Sequence, residues 1–464
     1  MLSFFKINDP FRLVPILLIA YLLKLPAFLH PAIQQEITHW FVIGEAMQSG
    51  TLYVDIWDGM GPFSAIIFQA ITWLFGRSVL SLYIIGTLLT FIQAAVFNNM
   101  LIRAKVFESN TYLPAIVYVL FTSVHPGFFT LSPVLLGLTL VLLGLGNLLR
   151  HVEFRAKKDI QIIMIGLYFG VAALFHFSYI VMLPVSVILL LIFTNTLGRR
   201  YLLLFFGGIF PMILTFFYYW LKSDHSGYFI HNFLFFNYWV TSNTSIGWVF
   251  GLMVLSVPIL FTIIGLLSFG RQMRLTNYQT RIVQLFLLFG VLMLSFLLLE
   301  APISFFSLVI FLPVFTFITV HLTSIVKRSF YSTILSVVLF GSVFFSLWVF
   351  TFQWIQVNPS EFSIASGKYE KIVKGKPIMV IGAGKTLYKE ATLAGPFYNW
   401  DLSREFFNSL DYYDNLVFLQ NHIEESKPDI IIDLENKWLE INERLPMVAQ
   451  HYFEYQPHVW KRKD

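Results

Sequence analysis

The sequence of 464 residues contains no cysteine, and only 12% of its residues are charged. The absence of cysteine excludes disulfides and thiolate metal ligands. The scarcity of charge contrasts with the roughly 25% of an ordinary soluble domain, and no basic, aromatic-rich soluble stretch indicates a nucleic-acid partner. Apolar and aromatic residues instead make up 57% of the chain, and the mean hydropathy is +0.71. This composition predicts an integral membrane protein.

Apolar runs of about twenty residues, the length that crosses a bilayer, recur along the chain. They predict a polytopic α-helical membrane protein with about 11 transmembrane helices, over approximately residues 13–30, 79–101, 110–127, 129–149, 160–177, 179–197, 201–221, 246–268, 282–299, 303–324 and 330–354. A further apolar run, residues 63–75, is too short to span comfortably and is bounded by glycines. We expect it to form an interfacial helix in the first outer loop.

The distribution of lysine and arginine predicts the orientation, because cytoplasmic loops carry the excess of these residues. With a cytoplasmic N-terminus, fifteen of them lie in the inner loops, and the short outer loops hold only Arg77 and Lys222. The odd number of spans then places the C-terminal tail outside the membrane. The tail differs in composition, since the residues from Pro359 onward hold 16 of the 26 acids.

Two short apolar runs in the tail, KPIMVIGAGK and KPDIIIDLE, predict buried strands, with helical patterns between and after them. We therefore expect a transmembrane domain over residues 1–356, with a first outer loop at 30–78, and a small C-terminal α/β domain over residues 357–464. The GAGK stretch lacks the G-x-x-x-x-G-K-[ST] spacing of a phosphate-binding loop, so a structural turn is the favoured interpretation.

The first outer loop concentrates ionisable residues in a half of the chain that is otherwise poor in acids: Glu36, His39, Glu45, Asp55 and Asp58. Glu36 follows the first span directly, and His39 lies on the same helical face at i+3. Carboxylates beside an apolar surface can act as general bases near neutral pH. The alternative is that these acids only solvate an outer loop.

Several elements of this loop follow a known order. Glu36 is followed by the helical EAMQSG, by Tyr53-Val54-Asp55, by the turn from Asp58 to Pro62, and by WLFG at residues 73–76. This pattern resembles the first outer loop of the GT-C superfamily of polytopic glycosyltransferases, especially its protein-mannosyltransferase-like and aminoarabinose-transferase-like branch. A later segment, GVAALFHFSYIVMLPVSVILLL, is similar to a passage of that family in which a lysine often stands where this chain has His176 or Phe177.

The sequence also departs from the family pattern. The acidic pair at the exit of the first span is reduced to Glu36, and Met60 replaces the lysine before the proline turn. The second outer loop, SVHPGFFTLSP, lacks the acid with which some branches bind metal and offers His125 instead. A divergent member is therefore expected, and neither a metal nor another cofactor is predicted.

The resemblance implies a glycosyltransferase that moves a sugar from a polyprenyl-phosphate-linked donor to a glycan, lipid or protein acceptor. The reaction would take place on the outer face of a bacterial inner membrane. Glu36 would be the base, and Asp55 or Asp58 would orient the acceptor or hold the loop. His39 and Tyr53 are further candidates for contact with substrate.

The leaving phosphate needs fixed positive groups, for which Arg77 and Lys222 are candidates, with His225 close by. Snorkelling of a long basic side chain to the interface is the alternative for both cations.

Three more ionisable residues, His125, His176 and Glu300, lie at the outer ends of predicted spans. Ionisable groups at membrane depth are candidates for substrate binding, although simple solvation is an alternative at a span end. A transporter or flippase of a lipid-linked substrate would place such groups near the bilayer midplane and would show repeats. Here the ionisable groups concentrate at the outer boundary and no repeat is visible, so the enzyme is preferred over a flippase. A catalytically degenerate envelope scaffold is a third alternative.

Overall fold

A computed structural model describes residues 2–107, 109–154, 158–194, 196–222, 227–239, 247–272, 276–300, 304–325, 329–354 and 369–463. The chain divides into two units, each built from three separate segments. One, the helical unit, comprises Met1–Pro31, Leu80–Thr215 and Val240–Gln356. The other, the mixed unit, comprises Ala32–Val79, Phe216–Trp239 and Val357–Asp464.

Helices occupy every apolar run that the sequence predicts as a span. Among the described residues, seven helices are long and apolar enough to cross a membrane: Pro10–Leu29, Val79–Arg103, Pro133–Val152, Gly198–Lys222, Asn277–Leu298, Phe305–Thr323 and Phe330–Thr351. Shorter apolar helices occupy the other four runs: Leu113–Thr122, Asp159–Phe175, Phe177–Phe193 and Ser256–Ser268. The predicted fold class, a polytopic helical membrane protein with a small C-terminal α/β part, is confirmed.

Two of the predicted spans are shortened or interrupted for local reasons. The run predicted at 110–127 is helical only over Leu113–Thr122. The His125 ring then accepts a hydrogen bond from the Gly127 N–H at 3.0 Å, which closes a turn before the next helix. The run predicted at 246–268 is divided into Gly247–Val254 and Ser256–Gln272. Pro258 lies just after this break, and its missing N–H cannot complete the helical ladder there.

Glycines bring two helices of the helical unit into close contact. Gly166 and Gly170, spaced as small-xxx-small, lie on the helix Asp159–Phe175. A Cβ at Gly166 would lie 2.0 Å from the carbonyl oxygen of Leu204, and one at Gly170 would lie 2.1 Å from that of Gly208. Such close backbone approach is typical of helix pairs in membranes, where packing replaces the hydrophobic driving force.

The mixed unit contains a five-stranded sheet formed by the tail. Its strands are β1 Pro377–Ile381, β2 Thr392–Leu393, β3 Ile430–Asp433, β4 Tyr452–Gln456 and β5 Val459–Arg462, in the order β2-β1-β3-β5-β4. β1 is parallel to β2 and β3, whereas β5 pairs antiparallel with β3 and β4. The predicted strands are β1 and β3. One of the helical patterns predicted after β3, ENKWLEINERLPMVAQHYF at residues 435–453, ends earlier than expected, since the helix Pro446–Ala449 is followed by β4.

Helices of the first outer loop and of the tail complete the mixed unit. The loop supplies Gln35–Ala46 and Pro62–Phe75, and the tail supplies Trp400–Asn408, Tyr413–Ser426 and Trp438–Arg444. The two loop helices pack at Gly44, where a Cβ would lie 2.6 Å from the carbonyl oxygen of Phe68. Only glycine fits this crossing without displacing the backbone.

Trp57 joins the first outer loop to the core of the tail. Its ring packs on those of Phe397, Phe406 and Phe418, with centroid distances of 5.4, 5.4 and 5.5 Å. Its backbone N–H donates to the carbonyl of Pro396 at 2.9 Å. Residues more than 300 positions apart therefore form one apolar cluster, and this cluster fixes the loop that carries the acids.

Candidate functional site

His39 and Asp58 form a hydrogen-bonded pair in the mixed unit. His39 lies on the helix Gln35–Ala46, and Asp58 lies in the turn before the helix Pro62–Phe75. The distance from His39 Nε2 to Asp58 Oδ2 is 3.0 Å, and the histidine side chain is 24% exposed while that of Asp58 is 1% exposed. A buried carboxylate thus orients an imidazole that reaches the surface of its unit. Glu36, half-buried, lies one turn earlier on the same helix.

The environment of Asp58 favours its charged form. Burial by itself would raise the pKa of this carboxyl, but the charge of His39, its hydrogen bond, the charge of Lys385 and the Met60 N–H together hold the pKa below its ordinary value. The Met60 N–H donates to Asp58 Oδ1 at 2.7 Å. Both carboxylate oxygens are therefore engaged, and the anion is stabilised without contact with solvent.

Two residues of the tail lie against this pair. The ring of Tyr398 stacks on that of His39, with centroids 5.3 Å apart and planes inclined by 12°. The Nζ of Lys385, in the turn after β1, lies 5.9 Å from the centroid of the Tyr398 ring. Neither residue is among those that the sequence pattern predicts for this site. Lys385 belongs to the glycine-rich GAGK turn, for which a structural role was the favoured interpretation.

Tyr53 and Asp55 hold the loop between the two helices. Tyr53 adopts a left-handed backbone, with φ +70°, and its hydroxyl donates to the carbonyl of Met60 at 2.6 Å. The Asp55 carboxylate accepts from the Thr51 N–H at 2.7 Å. The side-chain amide of Asn232 donates to the carbonyl of Tyr53 at 3.1 Å. Of the two roles considered for Asp55, orienting the acceptor or holding the loop, these bonds favour the second. They also fix the turn that carries Asp58.

Arg77 connects the first outer loop to the tail with all five of its N–H donors. It forms a bidentate pair with Glu45, with Nε–Oε1 and Nη2–Oε2 distances of 2.8 and 2.6 Å. Its remaining donors reach the carbonyls of Tyr388, Lys389 and Ala391, each at 2.7 Å. A guanidinium has five donors and no acceptor. In this conformation none of them is left for a phosphate.

We expect Arg77→Lys to destabilise the mixed unit, because one ammonium cannot replace five directed donors. The side chain is 22% exposed, so after allowance for screening the cost is about 2 kcal/mol. This corresponds to a fall of roughly 4 to 8 °C in the unfolding temperature for a unit of this size. Thermal unfolding in detergent is the measurement, with the exposed Arg404→Lys as the matched control. Equal unfolding temperatures for the two variants would contradict a stabilising role of the Arg77 hydrogen bonds.

The other predicted cation of the outer loops is exposed. Lys222 ends the helix Gly198–Lys222, and its Nζ lies 5.9 Å from the centroid of the Tyr218 ring. His225 lies outside the described residues. Within the described residues, no group of three His, Asp or Glu side chains has an arrangement that could hold a metal ion.

In the helical unit, the structure brings His176 and Glu300 together. His176 Nε2 lies 2.6 Å from Glu300 Oε2, and the hydroxyls of Ser178 and Ser307 donate to the same carboxylate at 2.9 and 2.5 Å. Burial would raise the pKa of Glu300, but the charge and hydrogen bond of His176, followed by the two serine hydroxyls, lower it. This is a second buried carboxylate paired with a partly exposed histidine, and its two serines were not predicted.

His125 is enclosed by aromatic rings of the helical unit. Its ring centroid lies 4.8 Å from that of Phe305 and 4.9 Å from that of Phe350. Its described hydrogen bond is the one that closes the turn at Gly127.

Together, the multi-pass helical array, the first outer loop with its two helices and the α/β tail define a class of fold. The same class of fold is found in solved structures of a membrane oligosaccharyltransferase. No family model and no curated protein matches the sequence.

Two solved structures share this fold. One is the archaeal oligosaccharyltransferase AglB from Archaeoglobus fulgidus in complex with an inhibitory peptide and a dolichol-phosphate, at 10% identity and a TM-score of 0.51, with 98% of this chain and 75% of that chain covered. The other is the Archaeoglobus fulgidus oligosaccharyltransferase in the apo form, at 11% identity and a TM-score of 0.52, with 96% and 73% covered.

Proposed function

We propose that the protein is a membrane glycosyltransferase that uses a polyprenyl-phosphate-linked sugar. It would transfer the sugar to a glycan, lipid or protein acceptor on the outer face of a bacterial-type inner membrane. The fold it shares with the oligosaccharyltransferases supports this proposal, and one of those structures contains a dolichol-phosphate and a peptide. The observation that carries it is the first outer loop of this fold, where Glu36 lies one turn before His39 on the helix Gln35–Ala46 and His39 is hydrogen-bonded to Asp58.

The reaction breaks the bond between the anomeric carbon and a phosphate oxygen, and that oxygen leaves with the electron pair. A new bond forms between the anomeric carbon and the acceptor oxygen, and the proton of the acceptor passes to a base. Glu36 is our assignment for this base, because its carboxylate is half-buried at the start of a loop helix. His39, oriented by Asp58, would contact the sugar or the acceptor.

A test of the function follows the lipid carrier. The purified full chain is incubated with lipid extracts that contain polyprenyl-phosphate-linked sugars, and the lipids are then analysed by mass spectrometry. We expect loss of one lipid-linked sugar, with release of the corresponding polyprenyl phosphate and appearance of the glycosylated acceptor. Extracts in which every lipid-linked sugar stays intact, with acceptor fractions also supplied, would contradict the proposal.

The flippase hypothesis makes a different prediction in the same system. A flippase moves the lipid-linked sugar between leaflets with its glycosidic bond intact, so it would change the accessibility of the sugar in vesicles without releasing polyprenyl phosphate. A scaffold would change neither quantity.

A further inference from the structure

Lys385 belongs to the GAGK turn, a feature that the proposed function does not use. The turn leaves β1 through Gly382, whose φ is +128°, and a Cβ on Gly384 would lie 2.6 Å from Val380 Cγ1. Both glycines are therefore required by the turn itself. The lysine that follows them is half-buried. Within the described residues its ammonium group has no carboxylate partner in an ion pair, although its charge lowers the pKa of Asp58.

Tyr398 provides a second, independent observation at the same place. Only 3% of this residue is exposed, and its hydroxyl makes no hydrogen bond with any described residue. A buried hydroxyl without a partner is unfavourable, and a partner from outside the chain would remove that cost. Burial and then the charge of Asp58 raise the pKa of this hydroxyl well above its ordinary value. It therefore remains a hydrogen-bond donor.

Lys385 and Tyr398 together provide hydrogen-bond donors and a positive charge. The distance from Lys385 Nζ to the centroid of the Tyr398 ring is 5.9 Å. The same ring stacks on that of His39, whose Nε2 faces Asp58. Asp58 is already engaged by His39 and by the Met60 N–H. What remains for a ligand is an ammonium group and a hydroxyl, which together suit an anion with several acceptor oxygens. Arg77, one of the two cations that were predicted to bind phosphate, has its five donors occupied within the chain.

We propose that Lys385 and Tyr398 of the tail bind the phosphate group of the polyprenyl-phosphate-linked donor beside the His39–Asp58 pair. This inference rests on the proposed function and deepens it. The tail would thus supply the positive charge that the reaction needs on its leaving group, and the GAGK turn would hold that charge at a fixed position.

The test compares a polyprenyl phosphate with the uncharged polyprenol of the same length, bound to the full chain in detergent. We expect the wild-type protein to bind the phosphate at least about tenfold more tightly, a preference that falls with added salt. Lys385→Gln should remove most of that preference, and Lys385→Arg should keep it. The matched control is Lys376→Gln, another half-buried lysine of the tail, which should behave as the wild type.

Tyr398→Phe separates binding from structure. Because the hydroxyl has no partner among the described residues, its removal should leave the unfolding temperature unchanged or slightly higher. We expect it nevertheless to weaken phosphate binding severalfold. Unchanged phosphate binding in both Tyr398→Phe and Lys385→Gln would overturn the inference.

Two further arms identify the source of the phosphate and separate the two proposals. Inorganic phosphate should displace bound polyprenyl phosphate only at concentrations far above those at which unlabelled polyprenyl phosphate does so. Equal potency of the two competitors would overturn the assignment to a lipid headgroup. If Lys385→Gln keeps the wild-type preference for polyprenyl phosphate over polyprenol, the role of Lys385 is refuted and the proposed function stands. A wild-type protein that does not distinguish phosphate from alcohol would count against the proposed function as well.

Discussion

Glu36→Gln is expected to lower the rate of sugar transfer by about 10²- to 10⁴-fold, the usual contribution of a general base. The amide has the shape of the carboxylate but cannot accept the acceptor's proton. Glu36 lies in the first turn of the helix Gln35–Ala46 and is half-buried, so the replacement should leave the helix intact. The measurement is release of polyprenyl phosphate, with kcat and KM determined separately.

Because Glu36 contributes to proton transfer rather than to binding, kcat should fall while KM changes little. Glu425→Gln, at an exposed position on a helix of the tail, is the control for loss of one negative charge. A Glu36→Gln enzyme with full activity would exclude this residue as the base and would direct attention to His39.

The membrane-spanning helices were predictable because a run of about twenty apolar residues matches the thickness of a bilayer and is uncommon in soluble domains. Local polar bonds set the exact ends, and these are harder to anticipate. At residues 123–127, for example, the hydrogen bond of the His125 ring and Pro126 end a helix that the apolar run alone would extend. In the tail, β1 and β3 were evident as short apolar runs, whereas the mostly exposed residues of β4 resemble a helical surface.

The candidate site was predictable in part, because the composition of the first outer loop drew attention to it. The i+3 spacing of Glu36 and His39 indicated one helical face. The partner of His39 was not evident, since Asp58 lies 19 positions further on and reaches it only through the turn that Tyr53 and Asp55 fix. The contributions of Lys385 and Tyr398 depend on the packing of a tail more than 300 residues away, and the sequence does not show that this tail lies beside His39.

Arg77 illustrates why selecting a residue from the sequence does not give its contacts. Its place in an outer loop poor in cations suggested a phosphate ligand, and snorkelling was the alternative. The structure instead engages its donors with Glu45 and three carbonyls of the tail. Such carbonyls are present in every sequence and become specific partners only when the chain folds.

Asp58→Asn is expected to lower sugar transfer by at least about 10²-fold while the fold is retained. The carboxylate accepts from the Met60 N–H at 2.7 Å and faces His39 Nε2 at 3.0 Å. An asparagine can keep its oxygen towards Met60 only if its NH₂ group faces Nε2, which then must accept. The imidazole would carry its proton on the other nitrogen, and a change of tautomer of this kind has large effects where a histidine acts on substrate.

The stability of the same variant should depend on pH in a defined direction. The pKa of Asp58 lies below its ordinary value of 3.8, so its charged form stabilises the folded protein above that pH. The contribution is lost as the pH falls through the lower, folded-state pKa. The difference in unfolding temperature between wild type and Asp58→Asn should therefore be constant above about pH 4 and shrink below it.

A double-mutant cycle decides whether the pair acts as one unit in the reaction. If Asp58 acts by orienting His39, then Asp58→Asn should cost little further activity once His39→Gln is present, and the coupling in transition-state free energy should be about 0.5–3 kcal/mol. Independent, additive losses would mean that the two residues do not act through each other. A loss of activity that only follows the loss of folded protein would assign the pair to stability alone.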